Sequence, residues 1–187
     1  MFANTVIGIC WTAVVVIWLI TGATSSATTR KTAGKAGRWF RFFLAIVFPL
    51  CFLVDDLRIL STVYVFPNDT YLQWISVSLC ISGISFAIWA RLHLGNSWAM
   101  PMTQTENTEL VTSGPYHLVR HPIYAGLSLA MIGSMLAASA LWSLWYITWT
   151  LYFLYSAFME ERALKARYPI DYPIYKSKSK MFIPFVL

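Results

Sequence analysis

The stretch Val111–Tyr124 reads VTSGPYHLVRHPIY. It carries one arginine, two histidines, two prolines and two tyrosines, and it lies between two long apolar segments. Nothing else in the chain is so dense in functional groups. Gly114-Pro115 marks a turn. Pro122 stands where proline best opens a helix, because the first helical N–H has no partner to lose. A helix starting there presents free backbone N–H groups and a positive dipole end, which suit a carboxylate or phosphate. Arg120 adds a planar fork for an anion. Two readings fit these residue types equally: a ligand site, or an interfacial loop whose Arg and His side chains reach the headgroup level.

Beyond the stretch, Ile123–Ala138 is short, apolar and rich in small residues. Ala137-Ala138-Ser139-Ala140 leaves room only for a tight turn. Leu141–Met159 is crowded with aromatics, among them Trp142, Trp145, Trp149, Tyr152, Phe153 and Phe158. These two blocks form a helical hairpin, so both of its ends emerge on the side of residues 93–121. Glu160-Glu161 closes the hairpin, and the basic tail 160–187 follows. A helical turn reaches Arg167, and Pro169 and Pro173 are expected to break it. Glu161 either pairs with Lys165 one turn on or faces an amine or sulfonium of a ligand held by the loop.

Ahead of the stretch, Tyr71–Leu92 is apolar and holds Ser76, Ser78, Ser82, Gly83 and Ser85, which let helices approach closely. Arg91 and His93 mark its return to the polar side. Trp39–Val54 is a further block, with a proline tolerated inside it at Pro49. Asp55, Asp56 and Arg58 close it as an interfacial helix end, and Pro67-Asn68-Asp69 is a turn. Ala3–Ala23 is the first block. MFANT carries no basic residue and the block is long enough to span, so a retained helix is expected rather than a signal peptide. Residues 24–38, TSSATTRKTAGKAGR, form a basic loop broken by Gly34 and Gly37.

The 187 residues are 58% hydrophobic and only 12% charged, too little charge to cover a soluble surface. Each block approaches the ~20 residues that a membrane helix needs. The alternation of an outer-membrane barrel is absent. The expected fold is all-α: a polytopic membrane protein of five transmembrane helices with a cytoplasmic cofactor-binding loop and C-terminal tail. One domain covers 1–187, with three spans in 1–92 and a catalytic half in 93–187. With the amino terminus outside, residues 24–41, 91–121 and 160–187 lie inside, and of 14 Lys and Arg only Arg58 falls outside, as the positive-inside rule requires. The net charge of +6 therefore reports orientation, and no nucleic-acid partner is expected. Cys10, Cys51 and Cys80 sit inside apolar blocks, as small helix residues rather than a disulfide or metal set. His93, His117 and His121 lack a partner at metal-ligand spacing, so no metal is expected.

GPYHLVRHPIYAG, followed after the hairpin by EERALKARYPIDYPIYKSKSKMFIPF, resembles the isoprenylcysteine carboxyl methyltransferase family and, more loosely, the membrane phospholipid methyltransferases. The resemblance covers about residues 93–187. It implies an enzyme that uses S-adenosyl-L-methionine on a lipophilic acceptor drawn from the bilayer, with membrane lipids as partners. Carried over by position, the cofactor contacts are Thr108, Leu110, Val111, Tyr116, His121, Tyr124 and Glu161, with Pro122 and Ile123. Arg120 is the expected catalytic residue, orienting an anionic group of cofactor or substrate. The position at which the eukaryotic carboxyl methyltransferases carry a substrate arginine is Ala157 here. A lipid-attached acceptor would enter sideways between helices; the helix-five aromatics, Met131 and Met135 either line that entrance or, as expected for most of them, serve plain helix packing. A carboxylate acceptor is already ionised at neutral pH, whereas an amine must lose a proton. The sterol-reductase-like NADPH enzymes are more distantly similar, and prefer R-H-x-N-Y where this chain has Arg120-His121-Pro122-Ile123-Tyr124. A transporter would show charges within its spans or two repeated halves, and neither is present.

Overall fold

The computed structural model describes residues 2–23, 64–67, 69–95 and 110–183. Among these residues there are six helices and no strand: α1 Phe2–Ala23, α2 Thr70–Leu94, α3 Pro115–Leu118, α4 Pro122–Ala137, α5 Ala140–Arg167 and α6 Asp171–Lys178. The expected block around Pro49, the loop 24–38, Asp55 to Arg58 and the expected site residue Thr108 lie outside the described residues.

Local chemistry explains the helix boundaries. Asp69 caps α2 by accepting from the Leu72 N–H at 2.7 Å, which satisfies a first-turn donor. Pro122 opens α4 and is buried, so the proline costs no helical hydrogen bond. Ala138 and Ser139 alone connect α4 to α5, as the expected tight turn requires. Pro169 follows the end of α5. Pro173 corrects an expectation: it does not break the helix but sits in the first turn of α6. First-turn N–H groups lack intrahelical partners, so a proline is accommodated there.

The tightest packing joins α2 to α4, running antiparallel. A Cβ placed on Gly83 would lie 2.5 Å from both the Gly126 carbonyl oxygen and the Ala130 nitrogen, and one on Gly133 would lie 2.7 Å from the Cys80 nitrogen. Small residues thus bring the two backbones into contact. Ser76 Oγ donates to the Gly133 carbonyl at 2.7 Å across the same interface. The α1 helix joins through Trp11, whose indole donates to Ser134 Oγ at 3.0 Å. The α5 helix joins through Phe153, stacked on Tyr124 at 5.3 Å between ring centroids. Met131 is part of this core.

The bundle has two distinct ends. Phe2 packs its ring on Trp74 at the start of α2, and Tyr64 pairs with Ser139 in the α4–α5 turn. The other end collects the close of α2, the loop 110–121, the close of α5 and all of α6. Phe2–Thr21 and Thr70–Leu94 are long and apolar enough to cross a membrane, and Pro122–Ala137 is apolar but shorter. At 1.5 Å per residue α4 reaches ~24 Å, short of a ~30 Å hydrocarbon core. Ile9, Leu19, Trp74, Trp89, Leu151 and Tyr155 are exposed, so large apolar side chains stand on the outer faces of α1, α2 and α5.

Candidate active site at the polar end of the bundle

The loop turns at Gly114, which has φ +60°, a conformation glycine adopts readily. A Cβ there would also meet the His93 ring at 2.6 Å. His93 Nε2 hydrogen-bonds with Ser113 Oγ at 2.9 Å, so the last turn of α2 clasps the loop. Next, α3 buries Tyr116, and its carbonyl accepts from the Tyr175 hydroxyl of α6 at 2.6 Å. The chain then runs parallel to the tail: Val119 pairs with Lys180, the Arg120 N–H donates to the Lys180 carbonyl at 2.8 Å and the His121 N–H to the Met181 carbonyl at 3.2 Å. Segments about 60 residues apart in sequence are joined here by backbone hydrogen bonds.

Charge completes the junction. Arg120 Nε donates to Glu161 Oε1 at 2.6 Å, with the side chains only 8% and 10% exposed. The same guanidinium donates to the Ser179 carbonyl and reaches that of Lys176 at 3.5 Å. Lys176 Nζ holds the other oxygen, Glu161 Oε2, at 2.7 Å, but its side chain is 52% exposed. Burial works to raise the Glu161 carboxyl, and hydrogen bonds from Lys176 and Arg120 outweigh it, so the group is held below its ordinary value.

Beside this pair lies a second set. The Tyr124 hydroxyl donates to Glu160 Oε1 at 2.6 Å. The other Glu160 oxygen is 3.6 Å from His121 Nδ1. His121 is buried, stacked between Tyr124 and Phe182 at 5.9 and 6.0 Å. Its Nε2 is buried without a hydrogen-bond partner, and Glu161 Oε1 is 3.9 Å away. Burial, reinforced by the charge of Glu160, raises the Tyr116 hydroxyl, and Arg91 acts in the opposite sense. Burial pushes Tyr175 up to about 12.

Of the expected site residues, the structure brings together Arg120, His121, Tyr124 and Glu161, and ties Tyr116 to their edge through Tyr175. Pro122 is buried at the head of α4, and Ile123 packs against the apolar core. Leu110 and Val111 are half-buried before the Gly114 turn. The local pairing of Glu161 with Lys165 is replaced by Arg120 and Lys176. The loop–tail arrangement satisfies Glu161 from two other segments. Lys176, His93 and Phe182 were not expected at the site, and Glu160 was expected there only as part of the acidic pair, with no contact of its own. Of these, only Glu160 carried a signal, as half of the acidic pair that closes the hairpin. Among the described residues no three His, Cys, Asp or Glu side chains are grouped to hold a metal ion.

This arrangement joins two adjacent carboxylates, an imidazole, a guanidinium and the rings of Tyr124 and Phe182 in one contact network. It offers anionic oxygens to a cation and one buried ring nitrogen still open to a hydrogen bond. The sequence model of a family described as phospholipid methyltransferase matches residues 71–170, from the first turn of α2 through the close of α5. The cobalt-zinc-cadmium resistance protein CzcN of Cupriavidus metallidurans is 30% identical over 120 residues, which cover 63% of this chain and 53% of that protein. The chain thus spans about half the length of this curated relative.

Proposed function

We propose that this chain, which belongs to the phospholipid methyltransferase family, is a membrane methyltransferase that takes its methyl group from S-adenosyl-L-methionine and passes it to a lipid-borne acceptor. The observation that carries this reading is the buried junction of Arg120, His121 and Tyr124 with Glu160 and Glu161, built inside the matched region and at one end of an apolar bundle. The residues fit the cofactor. Glu160 and Glu161 suit an ammonium or hydroxyl groups, and the remaining guanidinium nitrogen of Arg120 suits a carboxylate. His121 Nε2, buried with no hydrogen-bond partner, is an atom that a ligand would satisfy. Leu110, Val111, Pro122 and Ile123 flank the site as backbone and apolar wall, and Thr108 precedes it in the chain.

When bound, S-adenosylmethionine supplies a methyl carbon on a sulfonium, so the chain needs no nucleophile of its own. What remains for the protein is to position the partners and exclude water. Arg120 and Glu161 fix the loop against the tail and close the site. The five-span topology, with residues 1–187 as one domain and this site on the cytoplasmic face, agrees with the basic residues gathered at the site's end of the bundle.

The acceptor that the site suits best is a phospholipid amine. An ammonium must lose a proton before it becomes a nucleophile. His121 Nε2 is placed to accept it, because Nδ1 faces Glu160 and that carboxylate in turn accepts from Tyr124. Ala157, fully buried in the core, offers no cation for a prenylcysteine carboxylate.

Calorimetric titration of S-adenosylhomocysteine into detergent-purified protein tests the cofactor. The wild type is expected to bind and Glu161→Ala to bind more than tenfold more weakly, ~1.4 kcal/mol. No binding by the wild type overturns the cofactor reading. A screen of phosphatidylethanolamine against prenylcysteines tests the acceptor, and methylation of prenylcysteines alone overturns the amine.

A further inference from the structure

We infer that α6 is a membrane-surface helix whose outer face docks on the anionic headgroup layer of the bilayer that holds the bundle. Its two faces are chemically distinct. Tyr172, Tyr175 and Ser179 are buried, and this inner side carries the hydrogen bonds to Tyr116 and Arg120. The outer side shows Ile170 and Ile174, 74% and 52% exposed, followed at the same four-residue spacing by exposed Lys178. Lys180 and Ile183, also exposed, continue past the helix.

An apolar row bordered by lysines matches a layer that is apolar beneath and anionic on top. The charge balance selects the occupant. From Arg162 to Leu187 the chain has six Lys and Arg and one acid, Asp171, and a basic juxtamembrane segment is drawn to anionic lipid. Position agrees, since α6 lies at the end of the bundle where α2 closes with Arg91 and His93. This inference rests on the membrane placement proposed above and not on the cofactor, so its failure leaves the methyl-transfer reading standing.

Hydrogen exchange read by mass spectrometry on the full-length protein in nanodiscs tests it. Amides of residues 170–180 are expected to exchange about tenfold more slowly in discs containing phosphatidylglycerol than in discs of phosphatidylcholine alone. About 1 M NaCl, where the Debye length is about 3 Å, removes the difference. The double substitution Lys178→Gln with Lys180→Gln also removes it, while exchange in α2 and α4 stays as in the wild type. Equal exchange of wild-type α6 in the two kinds of disc overturns the inference, as does a lipid difference that survives the double substitution. Should the double variant loosen α2 and α4, the wild-type comparison and its salt dependence decide alone.

Discussion

Glu161 is held by two cations of unequal weight. The Arg120 pair is buried and carries further hydrogen bonds to the tail, whereas Lys176 keeps half of its side chain in solvent. Removing one partner of a buried pair strands a charge and costs about 3–5 kcal/mol. Removing an exposed partner costs about 0–1 kcal/mol. Glu161→Ala is therefore expected to lower the unfolding temperature in detergent far more than Lys176→Met, and equal shifts would contradict this ranking. The pH dependence has a definite sign. The folded Glu161 carboxyl lies below its ordinary 4.5, so its contribution is complete above about pH 4.5 and is lost as pH falls through the lower, folded value. Acid unfolding monitored by circular dichroism should begin at higher pH once Lys176 is replaced by Met. At this scale the sequence showed Arg120, His121, Tyr124 and Glu161, because their chemistry is concentrated in two short runs. Lys176 stayed hidden, since KSKSK reads as a solvated basic tail until α6 folds back onto the loop.

Among the elements, α2 and α4 depend on the absence of side chains, and α6 adds the Tyr175 hydroxyl to its contacts with Arg120 and Glu161. A methyl group on Gly83 would meet backbone atoms on α4 at 2.5 Å, and backbone cannot swing aside as a side chain does. Gly83→Ala is expected to destabilise by at least the 1–3 kcal/mol or so typical of over-packing, read as a lower unfolding temperature in detergent. Tyr175→Phe removes the hydrogen bond to the Tyr116 carbonyl and is expected to cost about 1 kcal/mol, with faster amide exchange confined to α3 and α6. Tyr175 also predicts an alkaline limit. Burial raises it from 10 to about 12, so its share of α6 docking is intact below pH 10 and is lost as pH rises toward 12. Exchange of α6 amides across that interval checks it. Helix boundaries were legible wherever a cap or a tight turn marks them, as at Pro122 and at Ala138-Ser139. Pro173 was misread because a proline that breaks a helix and one that begins the next look alike in sequence. Only the missing partners of first-turn N–H groups distinguish them.

For the whole molecule, the question is which end faces which compartment. Hydropathy marks the spans, and basic residues mark one side, so the two-ended design was readable before any packing was known. The contacts that close the polar end were not, because they join segments about 60 residues apart that share no local pattern. The packing supplies an independent ruler. Phe2 with Trp74, and Tyr64 with Ser139, define one end, while Arg120, Glu161 and α6 define the other. If the bundle crosses the bilayer, residues at opposite ends must be reached from opposite sides. Single cysteines at Val65 and Ser177, both exposed, placed in a chain whose Cys10, Cys51 and Cys80 have been replaced, make this measurable. An impermeant maleimide should label Val65→Cys from the outside of intact cells, and Ser177→Cys only in inverted vesicles. Labelling of both from the same side would break the topology. Labelling of both from the outside would also set the lysines of the tail against the positive-inside rule, and the proposed membrane placement of the site would fall with it.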